Sequence, residues 1–183
     1  MSTVGVVKQQ MDDALDAVRR EFSSVRTGKA TPTILDTVRV EAYGALLPLN
    51  QVATVSVPEG SLLVVQPFDR SLIGDIERGI QQADLGLNPA NDGQVVRIPI
   101  PPLNEERRKE YVRLLGKMAE EGRISIRHAR REGNESVKSL TKEGELSDDE
   151  GRRTSDEIQK LTDEYIGKID ELLAAKEREI MTV

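Results

Sequence analysis

Apolar residues in the first segment recur at alternating steps of three and four. Val4, Val7, Met11, Ala14, Val18, Phe22 and Val25 form a heptad seam, and Leu15 broadens it. That spacing predicts a helix over residues 3–27, which Gly28 stops and Pro32 keeps from resuming. A lone amphipathic helix of this length is marginal in water and needs partner helices. None follows at once. Instead Val38, Val40 and Ala42 alternate with Arg39, Glu41 and Tyr43, as in a half-buried strand, with Tyr43 read as a packing residue of the hairpin. Gly44 allows a turn, and residues 46–49 can return alongside, confined to an edge by Pro48. Ala53, Val55 and Val57 alternate with Thr54 and Ser56, and Pro58-Glu59-Gly60 signals another turn. Residues 62–65 are a continuous apolar run, expected to be a more deeply buried strand. Asp69 or Ser71 can cap a helix whose inner face is Leu72, Ile73, Ile76, Ile80 and Ala83. Gly86 closes that helix, residues 88–93 read as a loop, and 95–100 as a last strand.

Pro99, Pro101 and Pro102 end this block, and the period returns to that of a helix. Asn104 is a fitting cap, with Glu105 and Glu106 at the positive end of a helix running to about Lys142. Its core stripe passes through Tyr111, Leu115, Met118, Gly122, Ile126, Ala129, Gly133, Val137 and Leu140. Gly116, Gly122 and Gly133 should each cost up to about 1 kcal/mol of helix propensity. Two of them lie on the stripe, so close helix approach is the expected compensation. Ser147 with Glu150 forms a capping box that opens a last helix over 148–181. Its seam is Ile158, Leu161, Tyr165, Ile169 and Leu172, flanked by Ile166, Leu173 and Ile180.

The expected fold class is α+β. Residues 1–29 and 105–183 form a discontinuous three-helix bundle, and 30–104 an inserted small β/α/β domain. The chain crosses between them twice, at 28–33 and 101–104, through small or proline residues that suit a hinge.

Charge alters this picture in one place. The formal net charge of −6 argues against a general nucleic-acid coat protein. It is unevenly spread: residues 105–146 hold 11 Lys/Arg against 9 Asp/Glu, whereas 147–183 hold 6 against 11 and 30–104 hold 4 against 8. Any nucleic-acid contact must therefore be local to the first and middle helices. The middle helix carries Arg123, Arg127, Arg130 and Arg131 within an arc of about 100° beside the core stripe. Arginine presents a planar fork that holds phosphate by two bonds. A charged helix face is also often only solvated surface, and Glu120, Glu132 and Glu135 are interleaved here. Spacing alone leaves both readings open.

The chemistry of catalysis is missing from the sequence. There is no cysteine and one histidine, so disulfides, thiolate catalysis and multi-histidine metal sites cannot be built. No nucleophile elbow, phosphate-binding glycine loop or zinc-protease motif is found. Asp148, Asp149 and Glu150 are explained by the helix dipole, and His128 by an exposed position off both stripes. Aromatics are 3% of the chain, which argues against base-stacking platforms. No apolar run is long enough to cross a bilayer and the N-terminus has no secretory h-region, so a cytoplasmic protein without catalytic residues, metal or cofactor is expected.

Several segments together carry a resemblance. They are Val25-Arg26-Thr27-Gly28-Lys29-Ala30, Val40-Glu41-Ala42-Tyr43-Gly44, Ala83-Asp84-Leu85-Gly86-Leu87-Asn88-Pro89, the run from Ile98 to Arg108, and above all Ile126-Arg127-His128-Ala129-Arg130-Arg131. In this order and spacing the chain resembles the bacterial ribosome recycling factor family over essentially its whole length. The resemblance implies an L-shaped protein, a three-helix bundle with an inserted β/α/β domain. It implies a non-enzymatic, monomeric factor that binds large-subunit rRNA after termination. With elongation factor G and GTP, such a factor splits the ribosome and so releases mRNA and tRNA. Carried onto this chain, the rRNA-binding residues are Arg127, Arg130 and Arg131, with Arg26 and Lys29 near the hinge; Arg123 joins them on helical spacing alone. The hinge would comprise Gly28, Ala30, Thr31, Pro32, Pro101, Pro102, Leu103 and Asn104. Departures from the family pattern are His128 for asparagine, Glu132-Gly133 for Asp-Ala, and Lys29 for arginine. The alternative reading is a helical-bundle adaptor that captures a partner helix, which would leave one apolar stripe exposed after the bundle closes. An RNA-processing enzyme would need metal-grade carboxylates or a histidine base in a pocket, and neither is visible.

Overall fold

A computed structural model describes residues 2–182 of the protein. It divides into two compact units, one from the segments up to Thr27 and from Asn104 onward, the other from Gly28 to Leu103.

The first unit is a bundle of helices α1 (Thr3–Ser24), α4 (Glu105–Lys142) and α5 (Asp148–Met181), each packed on the other two. The seams expected from the spacing supply most of its core, with Val7, Met11, Leu115, Ile126, Ile158 and Ile169 almost wholly buried. On α4, however, the buried position is Ala119 and not Met118, and Tyr111, Met118 and Leu140 are only half-buried. Close approach explains the two stripe glycines. A Cβ on Gly122 would lie 2.3 Å from Val18 Cγ2, and one on Gly133 would lie 2.4 Å from Val7 Cγ2. Gly116 has nothing within 4 Å of the same position, so its propensity cost has no packing return. All three helix starts are capped: Ser2 accepts from Gly5 N–H, Asn104 from Arg107 N–H, and Ser147 with Glu150 closes the capping box.

Helix α1 ends three residues before the expected boundary. The Ser23 and Ser24 hydroxyls donate to the carbonyls of Arg20 and Glu21, and Val25 is already extended. Serine hydroxyls that compete for backbone groups favour helix ends, and the apolar spacing alone could not register this. Val25 is nonetheless buried. In α5 the seam is shifted slightly. Thr162 is fully buried, its hydroxyl satisfied by the Ile158 carbonyl, while Leu161 and Leu172 are only half-buried.

The second unit holds two antiparallel sheets. A hairpin pairs β1 (Arg39–Ala42) with β2 (Ala45–Pro48). A four-stranded sheet has the order β3-β4-β6-β5, from β3 (Ala53–Glu59), β4 (Leu62–Pro67), β5 (Ala90–Asn91) and β6 (Val96–Pro99). The unit also holds the one-turn helix α2 (Leu49–Val52) and the amphipathic helix α3 (Ile73–Gln82). Leu63, Val65, Ile76, Ile80, Val96 and Ile98 make the centre of its core. Gly79 lets α3 lie directly on β1, since a Cβ there would meet the Arg39 carbonyl oxygen at 2.6 Å.

Three short elements here were not foreseen: a 3-10 turn at Pro32–Leu35, the helix α2, and β5 inside the expected loop. Each is four residues or shorter, so each depends on tertiary pairing and not on its own periodicity. The chain enters and leaves this unit side by side. Ala30 N–H donates to Gly60 O and Ile100 N–H to Ser61 O, both in the turn between β3 and β4. Gly28, at φ +76°, packs against Leu103. Ala30 is buried in the core of the α/β unit.

Candidate nucleic-acid interface

The residues with binding chemistry gather on α4. Asn104 starts this helix, and the core stripe of Leu115, Ala119, Gly122, Ile126, Ala129 and Gly133 turns one face inward. The adjoining face must carry residues 123, 127, 130 and 131, which leaves their long side chains at the rim of the bundle.

The four arginines differ in what they touch. Arg123 has a side chain only 19% exposed, and it ties α4 to α5. Its Nε and Nη2 donate to Asp170 Oδ1 at 2.9 and 2.6 Å, and its Nη1 donates to Glu120 Oε2 at 3.1 Å. Arg127 is 43% exposed and makes one bond, from Nη1 to Glu120 Oε1 at 2.9 Å. Arg130 and Arg131 make no ion pair with a described residue, and Arg131 is exposed. Hydrogen bonds from Arg127 first, and from Arg123, hold the Glu120 carboxyl below the usual carboxylate range. Asp170 and Glu120 together strengthen the proton hold of the Arg123 guanidinium, Asp170 most. Arg123 is thus committed inside the protein, whereas Arg127, Arg130 and Arg131 have donors to offer.

The remaining candidates are dispersed. Arg26 and Lys29 are exposed just beyond α1, in the bundle and in the α/β unit respectively. Of the hinge candidates, Thr31, Pro32, Pro101 and Pro102 are exposed, Leu103 is half-buried, and Asn104 is the N-cap of α4. His128 is exposed, with Nδ1 3.7 Å from Glu132 Oε2, beyond hydrogen-bond reach.

Some features were not legible in the sequence. Glu120 and Asp170 read as ordinary surface acids, and only the helix pairing brings Asp170 to Arg123. Ile124 is exposed beside the arginines, and the buried Oδ1 of Asn134, on the next turn, has no hydrogen-bond partner. Tyr43 is not a packing residue. At φ +51° it is 74% exposed, and its hydroxyl donates to Asp69 Oδ2 at 2.9 Å. The turn after β1 needs a left-handed residue there, and that points the ring outward. Leu46 and Phe68 are also exposed.

Among the described residues the bundle leaves no continuous apolar stripe of the kind an adaptor needs. Its exposed large apolar residues, Val6, Leu114, Ile124 and Met181, are scattered over three helices. No group of three or more histidine or acidic residues among the described residues could hold a metal ion, and no helix is long and apolar enough to cross a membrane.

Known proteins share this architecture. The family model for ribosome recycling factor matches residues 18–181. The ribosome-recycling factor of Bacillus licheniformis is 51% identical over 176 residues, covering 96% of this chain and 95% of the relative. That of Symbiobacterium thermophilum is 53% identical over 176 residues, with the same coverage. A solution structure of the ribosome recycling factor matches with a TM-score of 0.80 at 41% identity, over 99% of this chain and 96% of the other. The T. thermophilus ribosome recycling factor, described with E. coli elongation factor G on the E. coli post-termination complex, matches with a TM-score of 0.63 at 45% identity over 100% of both chains. With two similar folds and about half of its residues shared along almost its whole length, the chain belongs to the ribosome recycling factor family.

Proposed function

We propose that this protein recycles the post-termination ribosome. It binds the large subunit and, with elongation factor G and GTP, promotes dissociation into subunits and release of mRNA and tRNA. The observation that carries this reading is the similarity to ribosome-recycling factors along nearly the entire chain, one of them bound with elongation factor G to the post-termination complex.

The bundle supplies the ribosome contact through Arg127, Arg130 and Arg131, which share one face of α4 and keep unpaired donors. Planar forks with free N–H groups suit RNA phosphates. Arg26 and Lys29 add positive charge where the chain passes between the units. Residues 28–33 and 101–104 act as the joint through which a force on the α/β unit reaches the bundle. The protein itself works by binding, with GTP hydrolysis left to elongation factor G, and it works in the cytoplasm as a monomer.

The test is subunit splitting. Purified protein, elongation factor G and GTP are added to post-termination ribosomes, and light scattering follows their dissociation. Scattering should fall only when all three are present. Splitting at the same rate without this protein would overturn the reading.

A further inference from the structure

The arginine face of α4 contains an ordered chain of alternating charge. It runs from Asp170 on α5 through Arg123 and Glu120 to Arg127. We propose that Asp170, Arg123 and Glu120 form a positioning relay that aims the Arg127 guanidinium at an RNA phosphate; this rests on the rRNA-binding reading above.

The geometry favours a relay over four independent surface groups. All three nitrogens of the Arg123 fork are engaged, two on Asp170 and one on Glu120, and its side chain is mostly covered. Arg123 is thus held jointly by α4 and α5, with three of its five N–H donors committed inside the protein. It holds one oxygen of Glu120, Oε2. The other oxygen, Oε1, takes Arg127 Nη1. Nε and Nη2 of Arg127 bond to no described residue. That edge of the guanidinium is the one that grips a phosphate by two parallel bonds. Glu120 therefore occupies one corner of Arg127 and leaves the bidentate edge open. Holding a rotamer-rich side chain in its bound direction lowers the ordering cost of association.

The relay makes a prediction opposite in sign to simple charge counting. Removing an acid beside an RNA-binding surface should tighten binding by electrostatics alone. If the acids position Arg127, their removal weakens it.

The test measures affinity for purified large ribosomal subunits by the intact protein carrying Glu120→Ala, Glu120→Gln, Asp170→Ala or Arg127→Ala, and each of the first three combined with Arg127→Ala. Arg127→Ala alone must weaken binding; if it does not, the rRNA-binding reading fails first and separately. Given that loss, Glu120→Ala and Asp170→Ala should each weaken binding by about two- to fivefold, the scale of one immobilised side chain. Glu120→Gln should restore only part of the affinity, because its single amide oxygen can accept from Arg127 or from Arg123 but not from both, and its NH2 group only donates. None of the three should have an effect in the Arg127→Ala background, whereas general destabilisation would persist there. Tighter or unchanged binding by Glu120→Ala, or an equal effect with and without Arg127, overturns the relay.

Discussion

Replacing Gly122 by alanine should destabilise the bundle, although alanine is the better helix former. On propensity alone the change gains about 1 kcal/mol. The new Cβ, however, would sit 2.3 Å from Val18 Cγ2 and 3.3 Å from Ile169 Cδ1. Carbon atoms rest about 3.5–4.0 Å apart, so α1 and α4 would have to separate by more than about 1 Å at this point. Val18 cannot rotate away cheaply, because its β-branched side chain has one strongly preferred rotamer in a helix. Overpacking of this kind costs about 1–3 kcal/mol, and it also loosens the packing on either side along the seam. The net expectation is a loss of up to about 2 kcal/mol after the propensity gain is offset. Gly116→Ala is the internal control, on the same helix with open space at its Cβ position. It should stabilise by about 0.5–1 kcal/mol. Urea unfolding of both variants, followed by helical circular dichroism, gives the comparison. Adding Val18→Ala to Gly122→Ala should recover part of the loss, with a coupling of about 1 kcal/mol. A Gly122→Ala protein as stable as Gly116→Ala would refute close approach as the reason for glycine at that position.

Other expectations follow from the same structure. A protein lacking residues 28–103, its ends bridged by a short Gly/Ser linker, should be helical and melt cooperatively, because the bundle's seams close on one another; a molten product would show that the α/β unit is needed to complete that core. Gly/Ser insertions before Gly28 and before Asn104 should leave large-subunit binding intact and slow splitting sharply, and splitting at the normal rate would discard the joint as a lever. Burial, and then the bond to Asp12, push the Tyr165 hydroxyl up to about 12. A folded-state value above the ordinary value of about 10 means stability present below pH 10 and lost progressively between pH 10 and 12. Tyr165→Phe should abolish that alkaline slope in pH-dependent unfolding, and an unchanged slope would assign it elsewhere.

The parts legible in the sequence are those where one period runs for many residues. The heptad seams of α1, α4 and α5 followed from spacing in outline, with shifts of one residue such as Thr162 for Leu161, and the capping box at Ser147 marked the start of α5 to the residue. Elements of a turn or less were not legible, because α2 and β5 exist only through what they pack on or pair with. The same limit applies to the site. Helical spacing put Arg123 with Arg127, Arg130 and Arg131, since all four share an arc. It could not show that Asp170, 47 residues away in the chain, takes up the Arg123 fork. Tyr43 shows the converse: alternation with Arg39 and Glu41 already put it on the exposed side, and only its place in the hairpin beside Gly44 suggested a packing role that its left-handed turn conformation does not allow.

The most direct test of the central claim is large-subunit binding by the Arg127→Ala/Arg130→Ala protein across a salt series, with unfolding measured in parallel. If these arginines hold rRNA phosphates, affinity falls and the salt slope becomes shallower by close to one unit for each phosphate no longer neutralised. Stability should change by no more than about 0.5 kcal/mol per site, as for solvated surface positions. Unchanged affinity and slope with a large loss of stability would contradict the account and make the stripe a part of the fold alone.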